Sequence, residues 1–224
     1  MENIILTKEG KKSVLEDKDY TEPFKWFVRI LFVVIIGNGF RTFSANFSID
    51  KFIDAPTIVQ FTFFLFFSSG YFFVISDFLF YHIQIERYPY VKGRGILRFF
   101  EDICIFFVLY LILHLASIWP NPRTFWIFLL LLGIWHLLVM IWQFHVNLQY
   151  DRIRTQGIIH LLKSAIYFVI FGAYTYHQGN IPAPLTTGAK PEDAMSPIIF
   201  WIWLVVIVIG VSNGKRLWWI RKLT

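Results

Sequence analysis

Residues 124–146 read TFWIFLLLLGIWHLLVMIWQFHV, with no Asp, Glu, Lys or Arg among them. A bilayer's hydrocarbon core is about 30 Å thick, and a helix rising 1.5 Å per residue needs roughly 20 apolar residues to cross it. This run meets that length, so the segment reads as a membrane span. Working outward, comparable runs occur on both sides. Toward the N-terminus lie residues 97–119, reached through the turn Pro120-Asn121-Pro122, and residues 57–82. The segment 24–40 is shorter, carries Arg29 and ends in Gly37-Asn38-Gly39, which predicts an unwound last turn. Toward the C-terminus lie 157–177 and 197–213, the latter opened by Ser196-Pro197 and closed by Gly214. The predicted fold is therefore an all-α membrane protein, a six-transmembrane-helix bundle over residues 24–213. A polar tail, 1–23, precedes it, a polar loop, 41–56, follows the first span, and a basic tail, 214–224, ends the chain.

Composition agrees. Of 224 residues, 56% are hydrophobic and only 16% charged, against about 25% charged in soluble domains. The mean hydropathy is +0.55. No stretch outside the apolar runs is long enough to bury a core of its own. The first 23 residues mix both charges and lack the apolar centre of a secretory signal. With one cysteine, Cys104, neither an intrachain disulfide nor a cysteine-based metal site can form within one chain.

The formal net charge is +6, and the distribution of Lys and Arg explains it. The outer loops carry only Arg41, Lys51, Arg123 and Lys190. Nearly all the others fall in the tails and in the loops around 87–98 and 152–154. Positive residues accumulate on the cytoplasmic side, which predicts N-in/C-in topology, with both termini cytoplasmic. The expected location is a bacterial inner (plasma) membrane. The basic pI is then a topology signal, so the expected partner is the lipid bilayer and not nucleic acid.

Polar residues inside membrane helices normally face protein or water, and helical spacing shows which of them share a face. The span 124–146 aligns His136, Met140, Gln143 and Asn147. The span 157–177 aligns His160, Ser164, Tyr167, Phe171 and Tyr174. Tyr110, His114 and Ser117 share a face of 97–119, and Gly70, Asp77, Tyr81 and Gln84 share a face of 57–84. The last span is apolar through its middle and reads as peripheral. The second to fifth spans thus each have one face suited to a shared polar interior. Asp77, His136, Gln143, Asn147, His160 and Tyr167 are the expected ion or solute pathway. Interhelical hydrogen bonding alone would also account for such faces.

Asp77 lies well inside its apolar run, where a carboxylate must be paired or protonated, with Arg29 and Lys163 as candidate partners. Glu101 and Asp102 fall in early turns of their helix, where acids are favoured, at a spacing that reaches Arg98. Arg29, Glu101, Asp102 and Lys163 are therefore expected to be buried charge partners. Arg87, Lys92, Arg94 and Arg98 are expected to form a surface for anionic lipid or a cytoplasmic protein. Tyr88, Tyr90, Trp218 and Trp219 are expected at the inner interface, and Trp119 and Trp126 at the outer one.

No His pair has metal-ligand spacing, and no nucleophile elbow or phosphate loop occurs. No metal, no cofactor and no enzymatic activity are therefore expected. The expected function is a channel or small transporter for an ion or small solute, assembled as a homo-oligomer. The alternative is a membrane-embedded sensor or scaffold in signalling or defence, binding a cytoplasmic partner through the N-terminal tail and the 87–98 loop. A lipid-modifying or haem-containing membrane enzyme ranks third.

Overall fold

The computed structural model describes residues 8–47, 49–90, 95–150, 155–179 and 198–221, which are helical almost throughout and contain no strand. Among them are six long helices: α1 (Lys8–Asn46), α3 (Thr57–Arg87), α4 (Gly95–Ala116), α5 (Pro122–Tyr150), α6 (Thr155–Gly179) and α7 (Ile199–Arg221). A short helix, α2 (Ile49–Ile53), links α1 to α3. Four stretches are long and apolar enough to cross a membrane: Thr21–Asn46, Thr57–Glu86, Pro122–Val146 and Gly157–Gln178. In the other two long helices the uninterrupted apolar stretch is shorter. It is 103–116 in α4, after Arg98, Glu101 and Asp102, and Ile199–Gly214 in α7. Helices suit this setting because each satisfies its own backbone polar groups in lipid.

α4 holds the bundle together, packing on α1, α3 and α5, while α6 packs on α5 and α7 on α3. Its Leu109, Ile112, Leu113 and Ala116 are fully buried. Small residues let membrane helices approach closely, and Gly70 does this between α3 and α4. A Cβ there would lie 2.4 Å from that of Ala116.

α1 departs from expectation at its C-terminal end. It does not unwind at Gly37-Asn38-Gly39 but stays helical through Asn46, so the predicted loop at 41–56 shrinks to α2 and its flanks. Gly39 serves close packing instead: a Cβ there would meet the Tyr71 hydroxyl at 2.6 Å and Leu113 Cδ2 at 2.8 Å. The added turns carry Asn38 and Thr42 to α4. Asn38 Nδ2 donates to the Tyr110 hydroxyl (3.2 Å), and Thr42 Oγ1 meets His114 Nδ1 (3.4 Å). The Tyr110–His114 face therefore seals a seam with α1 and does not line the α3–α6 interior. At its other end α1 is helical from Lys8 and runs through Pro23, so the described part of the polar tail is itself helical. Lys25 Nζ meets Glu22 within α1 (3.1 Å) and ties the helix to the end of α3 through Glu86 (3.3 Å).

α7 is peripheral, as expected. Ile198 and, on α7, Ile202, Val205, Ile209 and Asn213 form one buried face. Trp203 Nε1 donates to Thr62 Oγ1 (3.1 Å), whose own proton goes to Ile58 O (2.7 Å). Trp203→Phe removes one interhelical bond, worth about 0.6 kcal/mol in a membrane protein. A correspondingly small fall in the detergent unfolding midpoint is the expected result.

Helices α3, α5 and α6 run past the hydropathy limits 57–82, 124–146 and 157–177, because hydropathy marks the lipid slab and not the end of hydrogen bonding. α4 ends sooner than 119, at Ala116, where Ser117 N bonds Leu113 O (3.0 Å). The expected cap Ser196-Pro197 lies outside the described residues.

Candidate functional site: a buried polar column

Between α3, α4, α5 and α6 the polar faces meet in a column. At its base the chain turns from α3 toward α4 through Tyr88-Pro89-Tyr90, and Tyr90 is driven inward to 0% exposure. Its backbone N–H donates to Thr21 Oγ1 (2.9 Å), which anchors the turn on α1. Its hydroxyl meets that of Tyr81 (2.7 Å) and donates to Asp102 Oδ2, to which Tyr81 also donates (3.0 Å). Burial first, and then the Asp102 carboxylate, push the Tyr90 hydroxyl well above the usual phenol range, so it remains a donor.

Arg98 lies beside this trio, also fully buried. Nη1 donates to Pro89 O (3.2 Å) and Nη2 to Tyr88 O (3.1 Å). The guanidinium sits over the rings of Tyr90 (5.0 Å) and Trp142 (5.2 Å), a cation–π arrangement. Buried charge on α4 is tolerated because tyrosine hydroxyls, loop carbonyls and aromatic faces replace water.

One turn along α3 from Tyr81, Asp77 lines a cavity of about 20 Å³ together with Phe80, Tyr81, Ile105, Val139, Trp142 and Gln143. That volume admits about one water molecule. Asp77 and Gln143 are 5% and 2% exposed, and Gln143 Nε2 makes no hydrogen bond among the described residues.

Val139 is one turn from His136, which begins the next layer. His136 Nδ1 and His160 Nδ1 are 3.2 Å apart, so one carries the proton that the other accepts. The His136 ring stacks on Tyr167 (5.2 Å, 16°) and packs on Trp135 and Phe73. Ser164 Oγ donates to Gly133 O (3.1 Å), locking α6 against α5 at this level. Beyond it the column is closed by aromatic rings. Phe66 packs edge-on to Phe128 (4.7 Å), Phe125 packs edge-on to Tyr174 (5.2 Å), and Phe63 stacks on Trp119 (4.2 Å). Tyr174 donates to Pro122 O (2.9 Å). The column is thus polar at the Tyr90 end and aromatic at the Trp119 end.

The structure brings together five of the six expected pathway residues: Asp77 and Gln143 on one cavity, and His136, His160 and Tyr167 in the layer above. The Asn147 side chain lies outside the described residues. Among the expected charge partners, Asp102 bonds the two tyrosines and Glu101 bonds His145 Nδ1, and both acids also feel the charge of Arg98, to which helical spacing had pointed. Arg29 is half-buried with its guanidinium 5.6 Å from the Trp26 ring centre, and Lys163 is half-buried. Arg98, expected on the basic surface, is instead buried, because two loop carbonyls and two rings enclose it. Tyr90, expected at the interface, is also buried, held by Thr21, Tyr81 and Asp102. Lys92, Arg94 and the Arg87 side chain lie outside the described residues. Sequence reasoning missed Trp142 and His145, since their partners Arg98 and Glu101 are 44 positions away, beyond any helical spacing.

No family model, curated protein or solved structure matches this chain.

Proposed function

We propose that the protein is a channel or small transporter for an ion or small solute, with the column between α3, α4, α5 and α6 as its path. The observation that carries this is the continuity of the polar layers. The Tyr81–Tyr90–Asp102 trio, the Asp77–Gln143 cavity and the His136–His160 pair follow one another along the bundle axis. The cavity sets the Gln143 amide, whose Nε2 makes no hydrogen bond among the described residues, beside the Asp77 carboxylate. The aromatic layer at the Trp119 end makes this a closed conformation, so passage requires those rings to part.

The same proposal includes six spans, with α4 and α7 completing the bundle. Both termini are placed in the cytoplasm of a bacterial cell, which puts the Tyr90 end on the cytoplasmic side. Homo-oligomeric assembly would cover the exposed α1 face of Trp26, Ile30, Val33 and Val34. Lys92, Arg94 and Arg87 would meet anionic lipid headgroups.

A second reading is favoured by one feature. At 1.5 Å per residue, α1 (Lys8–Asn46) is about 58 Å long, nearly twice the hydrocarbon thickness. Its first turns therefore project from the bilayer, where a soluble partner in a signalling or defence system would dock.

Reconstitution in liposomes tests the first reading. Flux is expected, and Asp77→Asn should lower it roughly tenfold, a barrier change of about 1.4 kcal/mol. Absence of flux across several ions and pH values sinks the reading. A stoichiometric soluble partner lost on deleting residues 1–22 favours the second.

A further inference from the structure

We propose that the species carried along the column is the proton. The inference rests on the channel or transporter reading above and names its cargo.

Three observations converge. The first is size. The Asp77–Gln143 cavity has a volume of about 20 Å³, room for about one water and not for a hydrated ion. The second is ligand supply. A bare hard cation takes about six oxygen ligands, whereas among the cavity's side chains only Asp77, Gln143 and Tyr81 bear oxygen. Among the described residues no three His, Cys, Asp or Glu side chains converge to hold a metal ion. The third is chemistry. The groups along the column from base to top are Asp102, Tyr90, Tyr81, Asp77, His136, His160 and Tyr167. Each can release and accept a proton at an oxygen or nitrogen. Arg98 is the fixed positive charge at the base, facing Tyr90 and Trp142.

The His136–His160 contact supplies the distinctive step. With 3.2 Å between the two Nδ1 atoms, the proton on one nitrogen lies against the lone pair of the other. When a proton arrives from the Asp77 cavity on one imidazole, that ring becomes an imidazolium. Transfer of the proton lying between the Nδ1 atoms moves the charge to the other ring. One N–H bond breaks and one forms, with no oxidant or reductant. Asp77 is left as the carboxylate, and its reprotonation requires the Tyr81 hydroxyl, on the same cavity, to turn from Asp102 toward it. Tyr167 stacks on His136, and its buried hydroxyl makes no hydrogen bond among the described residues, so handing the proton on requires that hydroxyl to move into reach of the pair. Above it, Phe125 and Phe128 interrupt the chain before Tyr174, so release beyond the pair requires the aromatic layer to part.

The experiment uses the full chain in liposomes loaded with a pH-sensitive dye, with valinomycin and K⁺ to balance charge. Parallel vesicles report Na⁺, K⁺ and Cl⁻ flux without an imposed pH gradient. The expected result is proton flux, slower in D2O, with the other ions at the level of empty vesicles. Tyr81→Phe keeps the ring and removes only the relaying hydroxyl. It is expected to lower proton flux at least tenfold, as is His160→Gln. Trp203→Phe, outside the column, should leave it unchanged. Size-exclusion profiles matching the wild type confirm that each variant is folded. Alkali-cation or chloride flux without proton flux overturns the proton assignment and leaves the transport reading standing. Proton flux unchanged in both Tyr81→Phe and His160→Gln also overturns it. No flux of any species overturns both.

Discussion

Arg98→Ala is expected to destabilise the protein by about 3–5 kcal/mol, the range for removing one member of a buried charge network. The guanidinium is fully buried, bonded to the carbonyls of Tyr88 and Pro89 and enclosed by the rings of Tyr90 and Trp142. Alanine leaves both carbonyls short of a donor and removes the positive charge nearest the buried Asp102. The Tyr88–Tyr90 turn should then lift away from the bundle. Arg98→Lys should recover only part of the loss. An ammonium is a compact point charge that cannot span two carbonyls while lying flat between rings. Denaturation in detergent, followed by Trp fluorescence and helical circular dichroism, measures both. A shift in Arg98→Ala below about 1 kcal/mol, the typical range for an exposed pair, would place the side chain at the surface.

Gly70→Leu carries the other large effect. Even the first atom of a side chain there would lie 2.4 Å from Ala116 Cβ, and that atom has no rotamer with which to yield. The helices themselves must separate, opening the packing of Leu109, Ile112 and Leu113 against α3. Overpacking typically costs about 1–3 kcal/mol and more when backbone must move, so Gly70→Ala should fall in that range and Gly70→Leu beyond it. Gly172→Ala is the control. Nothing lies within 4 Å of a Cβ at that position, and alanine gains up to about 1 kcal/mol in helix propensity. Its unfolding midpoint should hold or rise while those of the Gly70 variants fall.

The parts of this architecture written most plainly in the sequence are those that lipid penalises. His136 with Gln143, His160 with Ser164 and Tyr167, and Asp77 with Tyr81 and Gln84 each repeat at helical spacing within apolar runs. All of them are buried between helices. What spacing does not give is the neighbour each face meets. Tyr110 and His114 looked like lining residues, yet they bond Asn38 and Thr42 of α1. That contact exists only because α1 remains helical past Gly39, where a Gly-Asn-Gly run suggested a break. Glycine permits a break, but it equally permits two helices to touch. The buried Arg98 was equally hidden. A basic residue at the mouth of a loop reads as surface until the loop is seen folding back to supply two carbonyls and a ring. The Glu101–His145 bond joins two helices across the bundle, and no local rule anticipates it.

The charged opening of α4 also bears on how the protein is made. Arg or Asp at the centre of an inserting helix disfavours entry by about 2.5–3.5 kcal/mol each, less near the ends. Thr57–Glu86 and Pro122–Val146 are long and apolar enough to cross a membrane. If α4 spans the bilayer as proposed above, it must bring Arg98, Glu101 and Asp102 past the headgroups before Tyr81, Tyr90 and His145 can receive them. Two of those receptors are translated before α4 and one after it. α4 should therefore wait beside the translocon until α5 emerges, and the stretch from α3 to α5 should enter the bilayer as a unit.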